Sequence, residues 1–197
     1  MARKQAADYE QRREAIIDHA ADLFAIKGFL GSSVADLADA CNTSKSLIYH
    51  YYPSKEDILH AVMSSHVEQL SSAASEVAAS ALDPASRLSQ LSRRFMRLYV
   101  GAAARQKVLL NDMVHLPPDR RAEIVTGQRA LVGLVETILA DLHPPLAGDA
   151  ARRKAAAMLF FGMINWTHTW MRPDGPLNAD AVADMATSMV LKGIGGL

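Results

Sequence analysis

The stretch from Ser33 to Asp57, SVADLADACNTSKSLIYHYYPSKED, restricts the fold more than any other part of the chain. Val34, Leu37, Ala38 and Cys41 recur at the spacing of one helix face, and Ser33 stands just before them. Asn42 falls where that helix must end, and Asn tolerates the left-handed conformation better than most residues. Ser44 is placed to cap a second short helix by accepting from an orphan backbone N–H. That helix turns Leu47, Ile48 and Tyr52 inward and leaves Lys45, Ser46, Tyr49 and His50 outside. The residue before Pro53 is pushed out of the helical region, so the helix stops there. Ser54 to Asp57 then reads as a capping box with Asp in the place of Glu. Two short helices about a tight turn make a helix-turn-helix, whose second helix is the one that enters a DNA major groove.

No strand pattern interrupts the remainder. A first helix is expected over 6–27, with Ile16, Ala20, Leu23 and Phe24 on one face and Gly28 as its stop. After Pro53 a long helix is expected to about residue 81, with Ile58, Leu59, Val62, Met63, His66, Val67 and Leu70 inward. Asp83-Pro84 breaks it. An amphipathic helix follows over 85–100, then helices over 101–115 and 119–142 and a strongly apolar one over 149–170, with breaks at Leu116-Pro-Pro118, His143-Pro-Pro145 and Gly148-Asp149. The turn cluster Arg172-Pro-Asp-Gly-Pro176 precedes a last helix capped by Asn178 and carrying Val182, Met185, Met189 and Val190. The expectation is an all-α chain of about nine helices: a helix-turn-helix head at 1–54 on a helical domain at 55–197.

Composition narrows the function classes. Half of the 197 residues are apolar, enough for a substantial core, and the net charge is zero. The longest apolar runs, such as 158–164, fall far short of the roughly 18–20 residues that span a bilayer. Met-Ala-Arg-Lys-Gln leads into a charged helix rather than an apolar block, and a single cysteine, Cys41, forms no intrachain disulfide. The expectation is a cytoplasmic protein without membrane attachment. Residues 1–60 hold seven Lys and Arg against nine Asp and Glu, a net of −2. DNA binding depends on local distribution, however. Arg3 and Lys4 are expected on a flexible arm, while Asp36, Glu56 and Asp57 sit in first helical turns, where carboxylates complement the dipole. Few phosphate contacts per subunit are therefore expected, with affinity that depends on pairing two subunits.

The DNA-facing candidates are Ser33, Ser44, Lys45, Ser46, Leu47, Tyr49, His50, Tyr51 and Lys55. Ser46 is placed to reach a base edge, Tyr49 and His50 a phosphate or base, and Lys45 and Lys55 phosphates. Tyr51 either joins them or packs on the first helix. Catalysis finds no support: there is no Gly-rich phosphate loop, no paired-His metal signature and no second cysteine, so neither enzyme nor cofactor is expected.

The stretch from Ile16 to Leu59 resembles the N-terminal domain of TetR/AcrR-type transcriptional regulators. The matching pieces are Ala20-Ala-Asp-Leu-Phe24, Gly28-Phe29, Ser32-Ser-Val34, Asp36-Leu-Ala38, Ser44-Lys45, Ile48-Tyr-His-Tyr-Tyr-Pro-Ser-Lys-Glu56 and Ile58-Leu59. This chain has Asn42-Thr43 where the family usually has Gly-Val, Ser46 at a position of small residues, Leu47 for Thr and Tyr52 for Phe. Asn42 preserves the turn; Leu47 removes a hydroxyl, so base preference does not transfer. The resemblance implies a homodimer on a double-stranded palindromic operator, with a regulatory domain whose last two helices pair subunits. The all-round apolar helix at 149–171 independently favours a surface buried twice, within the subunit and against a partner. Phe161, Met185 and Met189 are the candidate interface residues.

Two readings stand for the aromatic group around the tryptophans, core and dimer packing or a ligand pocket. The pocket candidates are Phe95, Tyr99, Asn111, His115, Met163, Trp166, Trp170 and Arg172, with Trp166 and Trp170 four apart on one expected helix face. The Asn-Trp-x-x-x-Trp-x-Arg-Pro-Asp-Gly-Pro pattern resembles regulators that sense acyl-CoA thioesters in fatty-acid, steroid-ring or aromatic-acid breakdown. Arg97, Arg105, Lys107, Arg172 and Lys192 are the cations available for CoA phosphates. The implied function is a ligand-responsive repressor released by an acyl-CoA or similar hydrophobic effector. A drug- or lipophile-efflux regulator and a helical interaction module without DNA binding are the alternatives.

Overall fold

Asn42 adopts φ +49°, the one non-glycine residue at positive φ among the described residues. Around it the chain closes the hydrogen bonds that end a helix in a left-handed residue. Thr43 N donates to Ala38 O at 2.9 Å, and Asn42 N to Asp39 O at 3.1 Å. The computed structural model describes residues 2–172 and 174–196, with side chains from residue 8 onward. Nine α-helices and no strand are found among these residues.

They fall into two compact units, Met1–His66 with Ala104–Ile124, and Val67–Ala103 with Val125–Leu197. The first unit holds α1 (Ala2–Lys27), α2 (Val34–Ala40), α3 (Lys45–Tyr51), the start of α4 (Lys55–Ala78), most of α6 (Ala103–Asn111) and the first turns of α7 (Pro118–Leu142). Gly28, at φ +74°, terminates α1 as expected. Ser33 caps α2 in a complete capping box with Asp36, and Ser44 caps α3 by accepting from Leu47 N at 3.2 Å. Tyr52 is extended before Pro53, and of the expected box one half is present, Asp57 N donating to Ser54 Oγ at 3.0 Å while the Ser54 hydroxyl donates to the Asp57 carboxylate at 2.7 Å. Ile16, Ala20, Phe24, Leu37, Ile48, Tyr52, Ile58, Leu59, Val62, Met63 and Val108 are buried together in this unit.

The second unit holds the remainder of α4 and α7 with α5 (Pro84–Gly101), α8 (Ala150–Asn165) and α9 (Ala179–Gly193). Asp83, Asp149 and Asn178 cap α5, α8 and α9. α5 and α9 are joined by two bidentate ion pairs. Arg93 reaches Asp184 at 2.7 and 2.8 Å, and Arg97 reaches Asp180 at 2.7 and 2.6 Å. Beneath them, the buried Thr187 hydroxyl donates to Ser92 at 2.9 Å. Leu88, Leu91, Phe95, Met96, Val135, Ile138, Leu139, Phe160, Ile164 and Ala183 form the core.

Several boundaries differ from the sequence expectation. α1 begins at Ala2, so Arg3 and Lys4 have helical backbone rather than a free arm; their side chains lie outside the described residues. α4 ends at Ala78 rather than residue 81. The helix expected over 101–115 is α6 plus a separate 3₁₀ turn, Met113–His115. The largest difference is at α8, which stops at Asn165 and passes into a 3₁₀ turn, Trp166–Thr169. Thr167 Oγ1 donates to Ile164 O, Thr169 Oγ1 donates to Trp166 O, and His168 Nδ1 pairs with Asn165 O, all within 2.7 Å. These local side-chain bonds compete with the helical ladder. Trp166 and Trp170 therefore do not share a helix face. Among the described residues no helix is long and apolar enough to cross a membrane.

Candidate nucleic-acid interface and effector region

α3 is a helix of seven residues whose two faces differ sharply. Ile48 is fully enclosed against the first unit's core, while Lys45, Ser46, Tyr49 and His50 stand exposed, as the sequence implied. Tyr49 keeps 48% of its surface in solvent, an uncommon state for a tyrosine with no interior partner. Leu47 and Tyr51 are half-buried on the side that faces α1. The Tyr51 ring lies 4.7 Å from Tyr9, and Tyr9 also meets His50 edge-on at 6.5 Å. Tyr51 thus takes the packing role left open by the sequence.

The remaining candidates divide by what their polar atoms already do. The Ser44 hydroxyl accepts from Leu47 N, which leaves its own O–H free to donate. Ser33 has no such freedom, because its O–H and its backbone N–H both go to the Asp36 carboxylate. In this arrangement the capping box takes up the proton that Ser33 would offer to DNA. Lys55 holds its ammonium 4.1 Å from the centre of the Phe29 ring, which in turn stacks on His115 at 5.4 Å. The charge survives, but the side chain is tied to the unit's own aromatic surface rather than extended.

Arg105 is a residue whose role the sequence concealed. Only 7% of its side chain is exposed. Its guanidinium bonds Ser65 Oγ at 2.8 Å, Glu14 at 2.5 Å and Asp18 at 2.7 Å, tying α6 to α4 and α1 within the first unit. Beside it, burial holds the His66 imidazole below its ordinary pKa, and its Nε2 lies 2.8 Å from Gln106 Oε1. α1 also contributes Arg12, Ala15, Ile16 and His19 to an open cleft of about 310 Å³, completed by Cys41, Asn42, Thr43, Leu47 and Tyr51. Nothing in the periodicity of α1 distinguished Arg12 or His19 from a solvated helix face.

The effector candidates are divided between the two units. Asn111 and His115 belong to the first unit, whereas Phe95, Tyr99, Met163, Trp166, Trp170 and Arg172 belong to the second. Asn111 donates to Lys107 O of its own helix, and His115 is taken up by Phe29. Phe95 is enclosed between Tyr99 and Phe161, each ring 6.1 Å away. Met163 is half-buried, Arg172 is exposed, and Trp166 and Trp170 are 66% and 52% exposed. Three of the cations considered for CoA phosphates already have partners: Arg97 holds Asp180, Arg105 holds Glu14 and Asp18, and Lys107 donates to Ala25 O. Arg172 and Lys192 are exposed.

The dimer candidates also divide. Phe161 is only 7% exposed and packs edge-on to Phe160 at 5.4 Å, so it belongs to the subunit's own core. Met185 and Met189 are 50% and 61% exposed on α9. On α8, Met158 and Leu159 are 53% and 68% exposed, a surface the sequence reading did not name.

Residues 16–62 match the family model described as bacterial regulatory proteins, tetR family, and residues 81–194 match that of the tetracyclin repressor-like C-terminal domain. The chain is similar in structure to a TetR-family transcriptional regulator from Bordetella parapertussis 12822. The identity is 36%, the TM-score 0.88, and 94% of this chain and 96% of that one are covered. It is 27% identical to the transcriptional repressor KstR2 of Rhodococcus jostii (strain RHA1), over 93% of this chain and 91% of that protein. A crystal structure of AibR in complex with isovaleryl coenzyme A and operator DNA is 27% identical with a TM-score of 0.80, covering 90% of this chain and 97% of that one.

Proposed function

Because the chain belongs to the TetR family of bacterial transcription regulators, which are DNA-binding proteins and not enzymes, we propose that it is a repressor released from its operator by a small hydrophobic effector. The observation that carries the DNA half of this reading is α3 itself. A left-handed Asn42 and a Ser44 cap fix its start, and Lys45, Ser46, Tyr49 and His50 stand exposed on one side. In this reading residues 1–54 form the DNA-binding head and 55–197 the regulatory part, working in the cytoplasm.

The operator is a double-stranded palindrome read by a homodimer. Subunits pair through the exposed apolar face of Met158, Leu159, Met185 and Met189, whose burial follows from ordinary hydrophobic association. Pairing sets two α3 helices one DNA turn apart, ~34–36 Å. Each subunit brings few phosphate contacts, so two heads on one duplex are needed for useful affinity.

The effector is an acyl-CoA thioester. The relative solved with isovaleryl coenzyme A and operator DNA supports this class, and the repressor KstR2, a relative over nearly the whole chain, supports repression as the mode of control. Arg172 and Lys192 are exposed cations of the second unit suited to the CoA phosphates. The effector lowers operator affinity by as much as it prefers the conformation that does not bind DNA. Tryptophan emission and operator binding, followed together during titration with thioesters of varied acyl chain, test this reading. The expected result is a parallel change in both, with the free acids weaker. Trp170→Ala should reduce ligand sensitivity while leaving operator affinity intact. A panel that moves neither signal removes the CoA class and leaves the DNA-binding reading standing.

A further inference from the structure

The cleft beside α3 lies on the DNA-binding motif but outside the residues assigned to it. Its walls come from α1 (Arg12, Ala15, Ile16, His19), the turn (Cys41, Asn42, Thr43) and α3 (Leu47, Tyr51). No acidic residue lines it, although acids outnumber Lys and Arg nine to seven over residues 1–60. Three acids of α1, Glu10, Glu14 and Asp18, have cationic partners of their own. Glu10 lies 3.7 Å from Arg13, and Glu14 and Asp18 are held by Arg105. Arg13 carries a carboxylate partner and lies over the Tyr52 ring at 5.7 Å. Arg12 is exposed and has neither an ion pair nor a hydrogen-bond partner among the described residues.

The cleft therefore presents an unneutralised guanidinium, an imidazole, the Thr43 hydroxyl and the Asn42 amide over an apolar floor of Ala15, Ile16 and Leu47. A polar, cationic rim over an apolar floor suits a charged group attached to a compact apolar body. A sugar–phosphate segment of a DNA strand has that make-up, and the cleft is walled by the same helix that carries Tyr49 and His50. We propose that this cleft seats one sugar–phosphate unit of the DNA backbone, with Arg12 as its phosphate ligand, so that α1 joins α3 in gripping the duplex. The proposal rests on the DNA-binding reading above and adds a contact which that reading did not include. It also bears on how a head of net negative charge can hold a polyanion, because Glu10, Glu14 and Asp18 of α1 already have cationic partners.

The test uses the full-length protein and random-sequence duplex, so it requires no knowledge of the operator. A phosphate contact weakens binding similarly on all sequences and contributes about 0.9 to the slope of log affinity against log salt. Arg12→Gln should flatten that slope by about 0.9 per subunit bound. Arg12→Lys should restore most of it, and Arg129→Gln, an exposed cation of the second unit, should leave it unchanged. Cys41, the chain's single cysteine, supplies a second signal, because a seated backbone should slow its alkylation by iodoacetamide. Inorganic phosphate at the same ionic strength should give no such protection if the sugar is part of the ligand; protection by phosphate alone would overturn the sugar–phosphate assignment. An unchanged slope in Arg12→Gln, with Cys41 as reactive in the complex as in the free protein, would overturn the proposal while leaving α3 as the reader. A wild-type protein that binds no duplex at any salt would overturn both.

Discussion

The Nη2 atom of Arg105 on α6 lies 2.7 Å from Oδ1 of Asp18 on α1. A second carboxylate, Glu14, shares the same nitrogen, and the guanidinium is almost wholly enclosed while its two acids remain half in solvent, 51% and 64% exposed. Loss of either acid leaves the other to neutralise the buried cation. Glu14→Gln and Asp18→Asn should therefore each cost less than about 1 kcal/mol, the range of exposed pairs. Together they leave a buried charge with only the Ser65 hydroxyl. The double variant should exceed the sum of the singles by about 1 kcal/mol or more, measured by urea unfolding. Simple additivity would show that the carboxylates act independently.

Asn42 gives a backbone prediction. Its φ of +49° costs a β-branched residue about 1–2 kcal/mol, whereas glycine takes it freely. Asn42→Val should lower the unfolding free energy by that amount, read from urea unfolding, and weaken DNA binding, because α3 is launched from this turn. Asn42→Gly should keep both. Equal stability of the Val and Gly variants would mean that the turn is not held in the left-handed form.

Asp36 gives the pH dependence. The Ser33 hydroxyl, then Lys27 at 2.9 Å and the Ser33 N–H, hold its carboxyl well below the usual carboxylate range. A depressed folded-state value contributes stability above the unfolded carboxylate's pKa of about 3.9 and loses it as pH falls below. The stability gap between wild type and Asp36→Asn should thus be present at pH 6 and close progressively below pH about 4. A gap that stays constant down to pH 2 would assign the cap to its neutral hydrogen bonds.

Much of the first unit was legible because its signals are local. Ser33, Asn42, Ser44, Pro53 and Ser54 each act on a backbone group within a few residues, so their sequence positions fix their effects. α8 was less legible because a helix apolar on every side carries no phase. Nothing in its sequence decides that Phe161 turns inward while Met158 and Leu159 turn out. Its early end rests on the hydroxyls of Thr167 and Thr169 and on His168, residues that a 3.6-residue period also accommodates. The sequence offers Arg105 as a cation available to CoA phosphates because its partners lie 40 to 91 positions away.

The outward face of α8 and α9 gives the assembly prediction. Leu159→Asp and Met189→Asp should yield folded monomers by light scattering and lose DNA binding, since one head alone makes few phosphate contacts. Phe161→Asp should instead unfold the subunit, because it buries an unpaired charge beside Phe95 and Phe160. A Met189→Asp protein that remained dimeric would move the interface off α9.

Selection from a pool of random duplexes by the purified protein, followed by sequencing, tests the central claim most directly. The account predicts enrichment of an inverted repeat with half-sites one helical turn apart, abolished by Tyr49→Ala and by Met189→Asp, and altered in preferred sequence by Ser46 substitutions. Recovery of no enriched sequence, or of a repeat bound equally well by Tyr49→Ala, would contradict the assignment of α3 as the operator-reading helix.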